Sequence, residues 1–251
     1  MKGIKDPKKV IKFIADGGNK GRANKILSQI RDYSNDPIII KKLESSLGLE
    51  IKPFYEELID DSSFKKIEET LANNWRNLGI MGLIEARMLY SICRAIKPKK
   101  IFETGVANGL SSTIFLLALA KNEIGTLFSI DISSDNIKSK KGATALPSGK
   151  KVGWLIPQVL RKNWQFNVGD SKTILPNLLK QQNYCDIFFH DSDHSYDYMM
   201  WEFETVRPFI KKMIISDDIS RNSAFNDFAS KHGYSEVKIS QNVGIITINH
   251  S

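Results

Sequence analysis

The fold is decided by the stretch Ile101-Phe102-Glu103-Thr104-Gly105-Val106-Ala107-Asn108-Gly109-Leu110-Ser111. Two apolar residues lead into a glutamate, a loop with glycines four positions apart follows, and hydroxyl and apolar residues then begin a helix. This order predicts the first strand–turn–helix crossover of a parallel sheet, with the helix N-terminus facing a ligand above the turn. Because glycine has no Cβ, Gly105 and Gly109 are expected to let that ligand approach the backbone closely.

Strands and helices continue to alternate through the rest of the chain. Apolar runs that end in acidic residues predict four more strands, at Thr126–Asp131, Gln165–Asp170, Asp186–Asp191 and Met213–Asp218. Helical patterns lie at Ser171–Leu179, which Pro176 is expected to shorten or bend, and at Tyr196–Ile210 and Ala224–His232. Alternating segments at Tyr234–Ser240 and Val243–Asn249 predict a closing antiparallel hairpin. The sequence therefore predicts an α/β fold with a mostly parallel, doubly wound sheet.

The first 78 residues have a different, all-helical pattern. Helices are predicted at Pro7–Ala15, Arg22–Tyr33, Pro37–Leu47 and Ser63–Asn77, with a short helix or turn at Pro53–Leu58. We interpret residues 1–78 as an N-terminal helical cap or dimerisation region, and residues 79–251 as the α/β domain. Gly82–Lys97, with apolar residues every four positions, predicts a helix packed on the sheet just before the first strand.

Composition limits the class of protein. The 251 residues contain no apolar run long enough to span a membrane, and the N-terminus lacks the apolar core of a signal peptide. Cys93 and Cys185 lie in apolar segments, which favours buried free thiols and a reducing cytoplasm. The formal net charge of +8 is not accompanied by a nucleic-acid-binding motif, so no nucleic-acid partner is expected.

Most of the excess of positive over negative charge lies between residues 136 and 172, where eight lysines and arginines accompany one acid, Asp170. This segment is either a solvated basic loop or a patch that attracts an acidic or phosphorylated substrate. Ser133–Lys151, rich in Ser, Lys and Gly, is long for a loop in a compact domain and leaves the ligand-binding edge of the sheet. It is therefore a candidate substrate lid.

Acidic residues end all five predicted parallel strands: Glu103, Asp131, Asp170, Asp191, and Asp217 with Asp218. One such acid is a common turn residue or helix cap, but five at one edge indicate a ligand that is cationic or rich in hydroxyls. Asp131 is placed to accept ribose hydroxyls, and Asp170-Ser171 to hold an adenine amino group. The Gly-x-x-x-Gly spacing and the preceding glutamate favour a ligand with an amino-acid tail over the pyrophosphate of NAD.

A second constellation follows the fourth and fifth strands. Asp191, Asp217 and Asp218 are hard oxygen ligands of the kind that Mg²⁺ prefers. The alternative is that they cap helices or form ion pairs with Arg207, Lys211, Lys212 or Arg221. His194, three residues after Asp191, is either a general base for a substrate hydroxyl or a loop histidine bonded to backbone. His190, His232 and His250 are interpreted as structural.

Taken together, these motifs resemble those of the class I S-adenosylmethionine-dependent methyltransferases. The matching residues are Glu103-Thr104-Gly105-x-x-x-Gly109-x-Ser111, Asp131, Gly169-Asp170-Ser171 and Asp191-Ser192-Asp193-His194-Ser195-Tyr196. Within that class the chain is similar to small-molecule O-methyltransferases, including the macrolide-sugar enzymes, over residues 82–250. The resemblance implies a Rossmann-like, seven-stranded sheet with a reversed last strand, which agrees with the predicted hairpin.

The same resemblance implies roles for site residues. Glu103 and the glycine loop, with Gly105, Gly109 and Ser111, would hold the methionine end of S-adenosylmethionine. Asp131 would bind its ribose, Asp170 and Ser171 its adenine region, and Asp191 would lie against it while also binding Mg²⁺ together with Asp217 and Asp218. His194 is the implied base. The first acid of the pair is Glu in those relatives and Asp217 here, so its carboxylate reaches less far.

The hypothesis from sequence is therefore Mg-assisted O-methylation of a small-molecule hydroxyl, on a sugar or related natural product, with S-adenosylmethionine as the donor. The basic segment suggests an acidic or phosphorylated acceptor, and the N-terminal helices suggest a homo-oligomer; no membrane partner is expected. The alternatives are an NAD-type oxidoreductase, a metal-dependent hydroxylase-like relative, and a protein that binds the cofactor without catalysis. The glycine spacing argues against the first, and the hard oxygen ligands argue against the second.

Overall fold

The computed structural model describes residues 36–66, 81–133 and 146–248. Its helices and strands, in chain order, are α1 (Asp36–Leu47), α2 (Lys52–Asp60), α3 (Leu83–Ile96), β1 (Lys100–Thr104), α4 (Leu110–Asn122), β2 (Thr126–Asp131), a 3₁₀ helix (Gln158–Asn163), β3 (Trp164–Val168), α5 (Ser171–Gln182), β4 (Cys185–His190), α6 (Tyr196–Val206), β5 (Ile210–Ser216), α7 (Ala224–His232), β6 (Ser235–Lys238) and β7 (Gly244–Thr247). The helices predicted at 7–15 and 22–33, and most of that at 63–77, lie outside the described residues.

The seven strands form one sheet in the order β3-β2-β1-β4-β5-β7-β6. Strands β1 to β5 pair in parallel, and β7 runs antiparallel to both of its neighbours, β5 and β6. The predicted α/β sheet with a closing antiparallel hairpin is thus confirmed. Because the five parallel strands point the same way, their carboxyl ends meet at a single edge of the sheet, which is where such sheets bind ligands.

Alternating residues along each strand build two separate hydrophobic layers. On one face of the sheet, Ile101 of β1 and Phe189 of β4 pack with α3 and α4, and the same cluster reaches α1 and α2 through Leu43 and Leu58. On the other face, Phe102 of β1 packs in a layer that includes α5, α6 and α7. The N-terminal helices thus share a hydrophobic core with the sheet, while the predicted division at residue 78 stays a prediction.

Two prolines affect their helices in opposite ways. Helix α5 continues through Pro176 to Gln182. Of the two effects predicted for this proline, shortening of the helix is wrong, and bending stays a prediction. Pro176 lacks an amide hydrogen, so the helical hydrogen bond to the carbonyl of Lys172 is missing. Because Lys172 is exposed, water can bind that carbonyl instead. Helix α6 ends at Val206 rather than at Ile210. The backbone of Arg207 is still helical (φ −47°, ψ −45°), but Pro208 has no amide hydrogen to donate the next helical hydrogen bond.

Two expectations from the composition, buried cysteines and the lack of a membrane-spanning segment, can be compared with the described residues. Cys93 and Cys185 are buried free thiols, as their apolar surroundings predict. Among the helices described here, none combines the length and hydrophobicity that crossing a membrane requires.

Candidate active site at the carboxyl edge of the sheet

The predicted acidic residues converge on one edge of the sheet. Glu103 is the fourth residue of β1, Asp131 is the last of β2, and Asp170 immediately precedes α5. Asp191 and Asp217 directly follow β4 and β5. The order β3-β2-β1-β4-β5 brings these five carboxyl groups side by side, although 114 positions separate the first from the last in the sequence.

Glu103 connects β1 to its neighbours. The carboxylate is fully buried and accepts hydrogen bonds from the hydroxyls of Ser111, Ser112 and Ser129, each at 2.6 Å. Burial outweighs these bonds and raises the pKa of Glu103 to about 7. Both oxygens are therefore engaged by α4 and β2, and the predicted contact of Glu103 and Ser111 with a cofactor stays a prediction.

At the two glycines of the loop, other atoms of the chain occupy the space that a Cβ would need. Gly105 has φ +83°, and a Cβ there would lie 1.9 Å from the carbonyl oxygen of Asp191. Gly109 has φ +87°, and its Cβ would lie 2.9 Å from Cα of Gly153 and 3.0 Å from Ile156. The predicted approach of a ligand to the backbone of these two glycines stays a prediction. The direction of each missing Cβ is filled by backbone or side-chain atoms of the same chain.

The middle of the basic segment, at residues 153–155, is docked on the glycine loop. The amides of Gly153 and Leu155 donate to the carbonyls of Ala107 (2.9 Å) and Asn108 (3.1 Å), and Trp154 Nε1 donates to Asn108 Oδ1 at 2.6 Å. The predicted lid, Ser133–Lys151, falls largely on residues 134–145, outside the described residues, together with Lys138, Lys140 and Lys141. Of the predicted lid, the structure describes Ser133 and residues 146–151, which directly precede the docked residues.

Part of the basic patch is committed to internal contacts. Arg161 donates from Nη2 to the carbonyl of Gly153 at 2.9 Å and from Nε to that of Ile156 at 3.2 Å, and its guanidinium lies over the ring of Trp164. Two of the five N–H donors of this guanidinium are thus used within the chain. An acidic or phosphorylated acceptor stays a prediction.

Asp131 is bonded to the glycine loop. Its Oδ2 accepts from the amides of Val106 (2.8 Å) and Ala107 (2.7 Å), and its Oδ1 accepts from the amide of Ile132 at 2.7 Å. The carboxylate therefore holds the loop against the end of β2. It occupies the position at which the sequence predicts ribose binding.

Asp170 and Ser171 begin α5. Asp170 is the N-cap, and its Oδ1 accepts from the amide of Lys172 at 2.9 Å. The Tyr198 hydroxyl lies 2.9 Å from the same oxygen and 2.7 Å from Ser171 Oγ. Asp170 is exposed and Ser171 is buried, so of the two predicted adenine contacts only the first faces solvent.

Negative charge accumulates around Asp191 and Asp217. The pKa of Asp191 is raised well above its ordinary value, first by burial of the carboxyl group and then by the nearby charges of Asp217, Glu103, Asp218 and Asp131. About a third of the Asp191 side chain (32%) is still exposed. Burial, with the charges of Asp218 and Glu85, raises the pKa of Asp217 to about 6. This carboxylate-rich edge favours a bound positive charge.

Asp218 is already paired with a cation from the protein. Arg221 Nε lies 2.7 Å from Asp218 Oδ2, so the alternative partner named from the sequence is present. Within the described part of the chain, no three His, Cys, Asp or Glu residues are arranged to hold a metal ion. The assignment of Asp191, Asp217 and Asp218 as Mg²⁺ ligands stays a prediction.

His194 lies between two of these carboxylates. Its Nε2 is 3.6 Å from Asp191 Oδ1 and 3.4 Å from Asp218 Oδ2, and only 14% of the side chain is exposed. Burial and the nearby His190 lower the pKa of His194 to about 4, in spite of the opposing charge on Asp218. The ring is therefore uncharged at neutral pH. A neutral imidazole beside carboxylates is able to take up a proton.

The segment that carries this edge of the sheet matches a known protein family. Residues 102–219 match the family model described as "Methyltransferase domain". This segment is a methyltransferase domain. It runs from β1 to the residue after Asp218 and contains Glu103, Asp131, Asp170 and His194. The resemblance seen in the sequence is thus confirmed for the segment that carries its motifs, whereas α1 and α2 lie outside the match.

Solved structures share the fold of this methyltransferase domain. A methyltransferase from Geobacter sulfurreducens is 19% identical, with 75% of this chain and 90% of that chain covered and a TM-score of 0.54. A calicheamicin methyltransferase is 16% identical (80% and 91% covered, TM-score 0.52), and an S-adenosylhomocysteine-bound methyltransferase from Podospora anserina is 12% identical (80% and 88% covered, TM-score 0.50). No curated protein sequence gives a significant match.

The structure of the methyltransferase domain also shows polar residues that the sequence analysis missed. Glu202 of α6 is fully buried and bonded to His190, which the sequence analysis interpreted only as structural. A signal was present, because Glu202 lies on the buried stripe of α6 formed by Met199, Phe203 and Val206. Glu85, at the start of α3, is the second missed acid; its position in the first turn of a helix resembles an ordinary N-terminal acid.

Proposed function

We propose that this methyltransferase uses S-adenosylmethionine to methylate a hydroxyl group of a small molecule, such as a sugar or related natural product. The observation that carries the proposal is His194, a neutral base flanked by Asp191 and Asp218 at the ligand-binding edge of the matched domain. Two structural neighbours support it: one is bound to S-adenosylhomocysteine, and one is named for calicheamicin, a small molecule.

The charge of the site suits this cofactor. The raised pKa values of Asp191 and Asp217 reflect negative charge that the protein only partly compensates, and a sulfonium is a cation. In the proposal the loop from Gly105 to Gly109, with Glu103 and Ser111, lies at the methionine end. Asp131 binds the ribose, Asp170 and Ser171 the adenine region, and Asp191 lies between the cofactor and the acceptor.

The residues of the chain then position and deprotonate the acceptor. When bound, the cofactor supplies an electrophilic methyl group on sulfur. Holding the acceptor oxygen in line with that group is worth on the order of 7–11 kcal/mol of the barrier. His194 Nε2 receives the hydroxyl proton, and Asp191 and Asp218 stabilise the imidazolium that forms.

We also propose a Mg²⁺ ion bound by Asp191, Asp217 and Asp218. The support is the chemistry of the donors, which are three neighbouring carboxylates, two of them with raised pKa values. When bound, the ion would lower the pKa of the acceptor hydroxyl. Binding requires the ion pair between Asp218 and Arg221 to open.

Isothermal titration with S-adenosylhomocysteine and with NAD tests the cofactor. We expect saturable binding of S-adenosylhomocysteine, weakened by Asp131→Asn, and no binding of NAD. Saturable heat with NAD instead would favour the oxidoreductase. Methyl transfer to a panel of sugars, catechols and phosphorylated acceptors then separates the enzyme from a protein that binds the cofactor without catalysis.

Thermal unfolding in Mg²⁺ and in EDTA tests the metal. A bound ion stabilises the folded state by mass action, so Mg²⁺ is expected to raise the Tm of the wild type but not that of Asp217→Asn. The same Tm shift in both proteins, or full activity after EDTA treatment, argues against the metal and leaves the cofactor proposal in place.

A further inference from the structure

Glu202 is a buried acceptor for four hydrogen-bond donors. Its side chain is fully buried within α6. Its Oε2 lies 2.7 Å from Thr104 Oγ1 and 2.6 Å from His190 Nδ1, and its Oε1 lies 2.7 Å from Ser171 Oγ and 3.1 Å from Ser192 Oγ.

Each of the four donors belongs to a different part of the site edge. Thr104 ends β1, His190 ends β4, Ser171 begins α5, and Ser192 lies in the loop that carries His194. One carboxylate thus joins segments that are up to 88 residues apart in the sequence. Ser171 is next to the predicted adenine contact Asp170, so the junction reaches the cofactor side of the site.

Only a carboxylate satisfies this set of donors. An ionised Glu is an acceptor at about four lone-pair sites, whereas the amide of Gln offers two and adds two donors. When ionised, Glu202 can only accept, and the hydrogen bond to it then places the proton of His190 on Nδ1. The bond therefore fixes both the tautomer and the orientation of the His190 ring.

The oriented His190 ring in turn packs on the proposed base. The rings of His190 and His194 meet edge to face, with their centroids 5.2 Å apart and an interplanar angle of 84°. His190 also packs edge to face on Phe203 of α6, at 5.6 Å. A rotation of His190 would therefore be transmitted to His194.

We propose that Glu202 is a positioning residue of the methyl-transfer site. It holds Ser171 beside the adenine region and orients His190, and through His190 it orients His194. This inference rests on the proposed function, but it concerns a side chain that touches neither the cofactor nor the acceptor.

Glu202→Gln tests this role without requiring an identified acceptor. The variant keeps the size of the side chain and leaves two donors without an acceptor. We expect its dissociation constant for S-adenosylhomocysteine to rise on the order of 10–100-fold, the range typical of partners that orient a site residue. At one fixed pH, we expect the ¹⁵N resonances of the His190 and His194 rings to shift. Glu204→Gln, on the same helix but paired with Lys231 and His232, is the matched control and should change neither readout.

The outcomes separate the two proposals. If the wild type fails to bind S-adenosylhomocysteine, the proposed function fails. If the wild type binds it, and Glu202→Gln binds it equally well with unchanged histidine resonances, the positioning role alone is wrong. If Glu202→Gln does not fold, Ser192→Ala decides instead: it removes one donor at 3.1 Å, and unchanged His194 resonances in that variant would contradict the role.

Discussion

Replacing His194 by alanine is expected to lower turnover by about 10²–10⁴-fold and to leave the affinity for S-adenosylhomocysteine unchanged. The loss follows from removing the group that, in the proposed mechanism, takes up the hydroxyl proton. The affinity is retained because His194 contacts Asp191 and Asp218 rather than the glycine loop. The measurement is single-turnover methyl transfer to an acceptor identified by the panel, alongside calorimetry with S-adenosylhomocysteine.

His232→Ala is the matched histidine control. His232 is bonded to Glu204 at 2.9 Å, at the end of α7, so its removal should leave turnover unchanged. If His194→Ala turns over like the wild type, His194 has no part in proton transfer and the loop-histidine alternative from the sequence is correct.

Gly105→Ala is expected to destabilise the protein by about 2–5 kcal/mol. The new Cβ would lie 1.9 Å from the Asp191 carbonyl oxygen, which belongs to backbone that cannot simply rotate away. Forcing an extra methyl group into packed structure costs about 1–3 kcal/mol, and left-handed backbone adds about 1–2 kcal/mol for an L side chain. Urea unfolding gives the change in the free energy of unfolding.

Gly48→Ala separates these two contributions. Gly48 also has a positive φ, +64°, but nothing lies within 4 Å of its missing Cβ. It should therefore cost only about 1–2 kcal/mol of backbone strain. Equal losses in both variants would show that the contact between the Gly105 position and Asp191 contributes nothing to stability.

The sheet was predictable because its signals are local. The strand Thr126–Asp131 has the same bounds in the sequence prediction and in the structure. Its start is marked by the beginning of an apolar run, and its end by an acidic residue. The prolines show the limit of such signals. Pro176 and Pro208 are the same residue type, but their effects differ with position in the helix: one falls within the first two turns, and the other follows the last helical residues.

The convergence of the acidic residues at one edge of the sheet could be predicted from the sequence, but their contacts could not. Parallel strands bring Asp131 and Asp191 to one edge whatever their neighbours are, so their convergence follows from topology. That Asp131 bonds to the amides of the glycine loop, and that Gly109 lies against Gly153, depends on how a later segment folds back. No local pattern encodes contacts between residues so far apart in the sequence.

The position of β1 in the middle of the five parallel strands bears on how the protein is made. Ile101 pairs with Leu127 on one side and with Ile187 on the other, and the second pairing spans 86 residues. Such long-range parallel pairing forms slowly, because the chain loses the entropy of loop closure before the contacts between the strands stabilise it. On the ribosome, a nascent chain that ends before β4 holds the glycine loop but lacks Asp191, Asp217 and Glu202. The proposed cofactor site would thus be completed only late in synthesis, and an N-terminal fragment should bind no S-adenosylhomocysteine.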